Sequence, residues 1–172
     1  MYVESKVDFN LPKSKILKLI TEPGNLEKYH PFCKKNEIIN WPGNGSVDIL
    51  EYHNGMRFKR EFFNWSDNGY DLKIGGRRNM AIVNWVVEGD ENNSSLRVRI
   101  NPNIKNYVSI KSRLIQRLLW LIYIKPMLQS YINHVIRGFS HFIKTDKVIL
   151  QNQFGTHRSV SYTHLRAHET SK

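Results

Sequence analysis

Residues 125–145 read KPMLQSYINHVIRGFSHFIKT and carry a large apolar side chain at every third or fourth position. This spacing places the apolar residues on one face of a helix and the polar residues on the other. We predict that they form the second half of a long helix over about 112–144. Because proline cannot donate the helical hydrogen bond, we expect a kink or break at Pro126. The apolar face consists of Leu128, Tyr131, Ile132, Val135, Phe139 and Phe142.

The residues before this helix alternate between apolar and polar types, a pattern typical of half-buried strands. Besides a central pair of hairpins, strands are predicted over 3–9, 36–41, 80–88 and 95–101. Two short helices are predicted between the first two strands. The first begins at Pro12 and buries Ile16, Leu19 and Ile20, and the second is capped by Asn25 and ended by Pro31.

The dipeptide Asn54-Gly55 lies between two alternating segments and is a strong signal for a β-hairpin. A two-residue turn there would pair Glu51 with Phe58 and Ile49 with Arg60. Directly opposed residues share a face of the sheet. The predicted inner face therefore carries Val47, Ile49, Glu51, His53, Met56, Phe58, Arg60 and Phe62. A second hairpin, with a three-residue loop over 67–69, would add Tyr70, Leu72 and Ile74.

The order of these elements predicts an α+β fold in which a curved antiparallel sheet wraps around a long C-terminal helix. One helix covers the apolar face of such a sheet incompletely, and the gap is a natural pocket for an apolar ligand. In the last two strands, pairing Val87 with Leu96 would turn Trp85 into this pocket. A shift of one residue would turn Trp85 outward.

The composition is that of one soluble globular domain, since 40% of the 172 residues are hydrophobic and 24% are charged. The net charge is +11. Lys and Arg are nevertheless scattered along the chain, so no nucleic-acid partner is expected. A single cysteine, Cys33, leaves no internal disulfide. Residues 1–10 lack the layout of a signal peptide and no apolar run is long enough to span a membrane, so we expect a cytoplasmic protein.

The last residues differ in character from the rest. Residues 160–170, VSYTHLRAHET, resemble translated sequencing-adapter sequence and show no apolar period. We therefore expect one ligand-binding domain over 1–157 and a non-native, disordered tail over 158–172.

The strongest candidate site in the predicted sheet is Glu51 with Arg60, with His53 nearby. Ionised side chains on an apolar face require either a mutual ion pair or a wet cavity. In one interpretation Arg60 anchors an anionic oxygen of a ligand, while Glu51 or His53 orients a polar group or moves a proton. In the other interpretation Glu51 and Arg60 form a structural pair at the rim of the sheet.

Several further residues are candidates for the pocket wall. His30 and Phe32 follow the second helix, where we expect the cavity mouth, although a capping or packing role fits them equally. Tyr70, Trp85 and Tyr131 combine apolar rings with polar tips, and ordinary core packing is their alternative role. The full predicted ligand-binding set is His30, Phe32, Ile49, Glu51, Phe58, Arg60, Phe62, Tyr70, Trp85, Met127, Tyr131 and Val135.

No metal and no cofactor are predicted. His134 and His141 are seven residues apart on the polar side of the helix, but no carboxylate or cysteine partner has suitable spacing. Cys33 has no recognisable catalytic partner.

Residues 118–124, LLWLIYI, are apolar without a polar face. They are expected either to be buried against the end of the sheet or to form a pocket lid. The alternative is contact with an anionic membrane surface through the neighbouring basic residues Lys111, Arg113, Arg117 and Lys125.

The chain resembles the START-related SRPBCC superfamily, the helix-grip fold, and within it the polyketide cyclase/dehydrase-like branch. The resemblance covers about residues 1–157. It rests on the Pro12 start, on residues 25–45, NLEKYHPFCKKNEIINWPGNG, and on residues 125–145. Residues 152–157, NQFGTH, resemble a C-terminal extension of a bacterial subgroup. The resemblance implies a cavity for hydrophobic ligands such as lipids or polyketides and no fixed catalytic set.

Together these features predict a protein that binds or carries a small hydrophobic ligand without catalysis. One alternative is a cyclase/dehydrase-like enzyme that uses Glu51, His53 and Arg60. A second alternative is a peripheral membrane or protein-interaction module. The pattern does not fix the ligand or the oligomeric state.

Overall fold

A computed structural model of the chain describes residues 1–76, 79–104, 112–157 and 160. The described residues contain one sheet of seven antiparallel strands, in the order β1-β7-β6-β5-β4-β3-β2. The strands are β1 Val3–Phe9, β2 Cys33–Asn40, β3 Val47–Tyr52, β4 Arg57–Ser66, β5 Gly69–Gly75, β6 Asn79–Gly89 and β7 Ser94–Pro102. The predicted first strand is confirmed at both ends.

The described helices are α1 Lys13–Thr21, α2 Leu26–Tyr29, α3 Arg113–Leu119 and α4 Lys125–Thr145, with a π-helical turn, Trp120–Ile124, between the last two. The predicted stripe of α1 is buried as expected. Asn25 has a different role from the one predicted. Its side chain does not cap α2; it donates hydrogen bonds to the carbonyl oxygens of Leu19 and Ile20 and so ties α2 to the end of α1.

Helix α4 lies across the inner face of the sheet, and four large side chains of its apolar stripe are buried: Ile132, Val135, Ile136 and Phe139. Phe139 packs edge-on against Phe9 of β1 and Tyr29 of α2. Gly138 permits this close packing, because a Cβ atom there would overlap the backbone oxygen of Tyr29. The predicted α+β architecture, a curved antiparallel sheet gripping a C-terminal helix, is confirmed.

Near Pro126, where a kink or break is predicted, the structure has a π-helical turn, and the backbone stays helical from Arg113 to Thr145. The π-helical turn ends one residue before Lys125, and Pro126 occupies the first turn of α4. In the π-helical turn the Lys125 N–H donates to the Trp120 carbonyl oxygen, and this irregular turn precedes the proline that cannot donate. The predicted helix over 112–144 is therefore confirmed in its extent, and its two parts differ in their environment, since α4 is packed on the sheet and α3 has no buried residue.

The hairpin between β3 and β4 has a different register from the predicted one. The sequence pattern predicts Glu51 opposite Phe58, whereas the structure pairs Glu51 with Arg57 and Leu50 with Phe58. The loop contains three residues, His53 to Gly55, and is closed by hydrogen bonds between Tyr52 and Met56 and from Gly55 to Tyr52. Gly55 adopts a positive φ of 83°, as a three-residue loop requires. One extra loop residue reverses the facing of all of β3.

The inner side chains of β3 are consequently Asp48, Leu50 and Tyr52. The predicted Glu51–Arg60 pair is wrong: Asp48 lies opposite Arg60, and the two form a buried ion pair. Nε of Arg60 donates to Oδ1 of Asp48 at 2.7 Å, and Nη2 donates to Oδ2. The two side chains together therefore satisfy the geometry of a bidentate pair.

The remaining strands keep the predicted faces. Tyr70 and Leu72 are buried, although Ser66 pairs directly with Gly69 and shortens the predicted loop by one residue. Val87 pairs with Leu96, and Trp85 is buried on the inner face. Of the tail over 158–172, the structure describes Val160, which is buried. The rest of that prediction lies outside the described residues.

Asp48→Asn should destabilise the protein by about 3–5 kcal/mol, because it leaves the buried charge of Arg60 unpaired. Urea denaturation monitored by tryptophan fluorescence measures this loss. Glu61→Gln is the matched control, since it breaks an exposed pair with Lys59 and should cost less than about 1 kcal/mol. The double variant Asp48→Leu/Arg60→Met should recover most of the stability. Equal effects of Asp48→Asn and Glu61→Gln would contradict the structural role of the pair.

Candidate functional site

A cavity of about 240 Å³ lies between the inner face of the sheet and α4. Its wall is mostly aliphatic and aromatic, and its main polar groups belong to His30, Tyr52, Arg60 and Tyr131. The other lining residues are Leu26, Leu50, Met56, Phe58, Leu72, Ile74, Met80, Ala81, Val83, Trp85, Val98, Ile100, Met127, Leu128, Ile132, Val135 and Val160. This is the gap that the sequence pattern predicts.

Several partly exposed residues of the cavity wall lie at one end of the strands, near the β3–β4 and β5–β6 turns. Met56 and Phe58 lie at the β3–β4 turn, whereas Ile74 and Met80 lie where β5 ends and β6 begins. Met127 and Leu128 join this group from the first turn of α4. These six lining residues are all partly exposed, and three of them are methionines. We call this group of six residues the mouth.

Seven of the predicted ligand-binding residues line the cavity: His30, Phe58, Arg60, Trp85, Met127, Tyr131 and Val135. Three others are placed elsewhere in the interior. Phe62 and Tyr70 belong to an aromatic cluster with Trp41 and Trp65. Phe32 is fully buried and stacks on Tyr131, so the prediction that it flanks an entrance is wrong.

Glu51, Ile49 and His53 do not line the cavity. Ile49 and Glu51 lie on the outer face of β3, because the register differs from the predicted one. Glu51 accepts a hydrogen bond from Lys34 at 2.7 Å, and this bond lowers the pKa of the Glu51 carboxyl group. His53 belongs to the hairpin loop, where partial burial lowers its pKa. The structure therefore separates the predicted constellation of Glu51, His53 and Arg60.

Arg60 is the first of the polar residues that line the cavity. Burial alone would lower the pKa of its guanidinium, but the adjoining Asp48 carboxylate raises it above the ordinary value, so Arg60 stays charged. Asp48 and the side-chain oxygen of Asn36 accept the hydrogen bonds of Nε and Nη2. In the described part of the chain, Nη1 of Arg60 makes no hydrogen bond to protein. A donor nitrogen therefore remains on a residue that lines the cavity.

His30 and Tyr131 are two further polar residues of the cavity wall, and they are hydrogen-bonded to each other. The backbone N–H of Phe32 donates to Nδ1 of His30 at 3.2 Å, so this ring nitrogen carries no proton. Burial, together with the charge of Arg60, lowers the pKa of His30 to about 3, so the ring is neutral at pH 7. The proton is therefore on Nε2, which donates to the Tyr131 hydroxyl at 2.9 Å.

The Tyr131 hydroxyl is in turn 2.8 Å from that of Tyr52. Burial raises the pKa of Tyr131 well above its ordinary value, so this phenol keeps its proton. The residue that follows α2, strand β3 and helix α4 thus contribute His30, Tyr52 and Tyr131 to a chain of hydrogen bonds. We define the polar pole as His30, Tyr52, Arg60 and Tyr131.

The segment 146–157 packs behind this pole. The backbone N–H groups of Ile149 and Asn152 donate to the carbonyl oxygens of Lys28 and Pro31. The imidazole of His157 donates to the Met127 carbonyl oxygen at 3.0 Å. Its ring also contacts Tyr131 and Phe32. The segment therefore supports both Tyr131 and the first turn of α4.

Sequence reasoning missed Asp48, Tyr52 and the supporting role of His157. The first two follow from the hairpin register, and the available signal was that Asn-Gly also suits a three-residue loop in which glycine takes the positive φ. No comparable signal exists for His157, because its contacts join residues far apart in the chain.

The sheet order and the long C-terminal helix define the helix-grip fold. No family model matches the chain, and no curated protein matches it in sequence. Solved structures do share its fold. A START superfamily protein from Mycobacterium smegmatis superposes with a TM-score of 0.63 at 10% identity, over 85% of this chain and 99% of its own.

A protein from Mesorhizobium loti gives a TM-score of 0.63 at 12% identity, over 86% of this chain and 100% of its own. DynU16, a protein of the dynemicin biosynthetic locus, gives 0.62 at 11% identity. That match covers 88% of this chain and 51% of DynU16, so the chain spans about half the length of that protein. Identities this low show a shared fold and leave the function open.

The buried, neutral His30 should make stability depend on pH. An unfolded histidine has a pKa of about 6.5, whereas that of His30 in the folded protein is about 3. Between these values the unfolded state binds a proton that the folded state does not. The free energy of unfolding should therefore fall as pH falls, by up to roughly 1.4 kcal/mol per pH unit from this residue.

Urea denaturation of the wild-type protein and His30→Gln at pH 5, 7 and 8 tests this. Between pH 7 and pH 5 the variant should lose roughly 2 kcal/mol less than the wild-type protein. Between pH 7 and pH 8 the two proteins should change in parallel, which serves as the internal control. Parallel behaviour across the whole range would mean that His30 is not held neutral by the fold.

Proposed function

We propose that this protein binds a small, mainly hydrophobic molecule in the cavity, with one polar group of the ligand at the polar pole. The observation that carries the proposal is the combination of an apolar wall with four polar side chains, three of which are joined by hydrogen bonds. Apolar pockets with few, fixed polar groups are the usual form of small-molecule sites. Transfer of apolar ligand surface out of water supplies the affinity, at about 25 cal/mol per Å².

The size of the cavity limits the size of the ligand. A volume of about 240 Å³ lies just below the range of roughly 300–1,000 Å³ common for drug-sized ligands. A compact molecule of two or three fused rings, or a short acyl chain, suits this space. The aromatic side chains of Phe58, Trp85 and Tyr131 favour a flat aromatic ligand, since they offer edges and faces for stacking.

The charges at the pole favour a neutral hydrogen-bond acceptor on the ligand. Asp48 pairs with Arg60 and balances most of its charge, while His30 is neutral. A carboxylate would meet little net positive charge and would lose its hydration on entry. A carbonyl or phenol oxygen can accept from Nη1 of Arg60 or from a tyrosine hydroxyl at a lower desolvation cost. A polyketide-like aromatic ketone is the ligand class that combines these properties.

The fold shared with DynU16 of the dynemicin biosynthetic locus is consistent with this ligand class. The cyclase/dehydrase-like alternative has lost its basis in Glu51 and His53, which lie away from the cavity. We therefore propose binding or carriage of the ligand, and we assign no catalytic residue.

Filling the cavity should weaken ligand binding. The uncharged probe N-phenyl-1-naphthylamine should bind the wild-type protein saturably at one site, with a fluorescence increase. Val135→Phe replaces a small side chain in the wall with an aromatic ring and should weaken binding of the probe about ten-fold or more. Val148→Phe adds the same ring at an exposed position and is the matched control. Circular dichroism verifies folding. Equal affinities of the two variants, or binding that never saturates, would overturn the proposal.

The polar pole should discriminate between ligands of equal shape. Isothermal titration with 2-acetylnaphthalene and 2-ethylnaphthalene compares a carbonyl with a methylene group at one position. Tyr131→Phe should weaken binding of the ketone roughly five- to ten-fold, the worth of one hydrogen bond, and leave the hydrocarbon nearly unchanged. If the substitution affects both ligands equally, the pole does not orient the ligand.

A further inference from the structure

Helix α3 and the π-helical turn present apolar side chains to solvent. Six large apolar residues in this segment are between 46% and 78% exposed: Leu114, Ile115, Leu118, Leu121, Ile122 and Tyr123. Elsewhere in the described chain, exposed large apolar residues occur singly or in pairs along the sequence. A contiguous group of this kind on a folded protein marks an interaction site. The expectation that residues 118–124 are buried is therefore wrong for most of them.

The packing of Trp120 and Ile124 explains why the opposite face of this segment is exposed. Leu114, Leu118 and Leu121 follow one another at helical spacing and share one face. Trp120 and Ile124 point to the other side and are buried in the core. Because these two side chains anchor the segment, its apolar face cannot turn inward. It remains available to a partner.

The positive charge around this face indicates which kind of partner it can bind. Arg113, Arg117 and Lys125 are exposed beside it. The sequence contains no Asp or Glu between Glu91 and Asp146, and the whole chain has a net charge of +11. A second copy docked by the same face would bring like charges together, which opposes a symmetric dimer. An anionic surface complements them.

We propose that residues 113–125, here named the docking face, bind the surface of an anionic lipid bilayer. The apolar side chains enter the boundary between headgroups and acyl chains, and the arginine and lysine side chains contact lipid phosphates. Tyr123 suits this depth, with its ring in the apolar layer and its hydroxyl in the headgroups. The attachment is peripheral. None of the described helices combines the length and the apolar character that crossing a bilayer requires.

The docking face is close to the mouth of the cavity. Met127 and Leu128 line the mouth, and they follow Lys125 within the first turn of α4. A protein bound through the docking face therefore holds its mouth near the lipid surface. This inference goes beyond ligand binding, since the face lies outside the cavity and needs no ligand.

Co-sedimentation of the full chain with lipid vesicles tests the proposal. One set of vesicles contains phosphatidylcholine alone, and the other contains an equal part of phosphatidylglycerol. The protein should sediment with the anionic vesicles at least about ten-fold more strongly than with the neutral ones, and added salt should weaken the binding. Failure to sediment with anionic vesicles at low salt would overturn the proposal.

Two pairs of matched variants locate the contact. Leu121→Ser should lower vesicle binding several-fold, whereas Ile39→Ser should not, although the two side chains are 61% and 60% exposed. Arg113→Gln/Arg117→Gln should weaken binding more than Lys15→Gln/Lys18→Gln, which removes the same charge from exposed positions on α1. Equal losses within either pair would assign the binding to a general surface property and overturn the proposal.

The same variants keep this inference separate from the proposed function. Leu121→Ser should retain N-phenyl-1-naphthylamine binding, because Leu121 lies outside the cavity wall. Light scattering after size exclusion gives the oligomeric state of each protein. A wild-type dimer that Leu121→Ser converts to a monomer would assign the docking face to contact between copies and overturn the membrane proposal.

Discussion

The buried ion pair of Asp48 and Arg60 is the constraint on which the cavity depends. Each charge is nearly inaccessible to water and tolerable only because the other lies directly opposite it on the neighbouring strand. A register slip of one residue would leave Arg60 unpaired in an apolar interior and turn Asp48 away from it. The pair thus selects one alignment of β3 and β4. That alignment brings Tyr52 to the inner face, where it meets Tyr131.

The sequence pattern was sufficient to assign the inward-facing residues of a strand where only one face could be buried. In β7, Leu96, Val98 and Ile100 alternate with arginines, so the facing was unambiguous. In β3 both faces contain large apolar residues, since Ile49 competes with Leu50 and Tyr52. There the loop length alone decided the register, and Asn-Gly is compatible with two loop lengths. The location of the cavity and seven of its predicted wall residues could therefore be derived, but the partner of Arg60 could not.

The polar pole and the mouth differ in physical character. At the pole, Arg60 is balanced by Asp48, and hydrogen bonds fix His30 and Tyr131. The segment 146–157 contacts Tyr131 through His157 and is held to the α2 region by backbone hydrogen bonds. At the mouth the lining is apolar and partly exposed. When the polar atom of a ligand reaches the pole, the hydrogen-bond donors of the protein are already held in position. This limits the entropy lost on binding.

The three methionines at the mouth affect how a ligand enters the cavity. Their side chains are unbranched and flexible, so they can change rotamer without displacement of the backbone. Side-chain rotamer changes at partly exposed positions take picoseconds to nanoseconds. The mouth can therefore adapt to ligands of different widths by side-chain rotation alone.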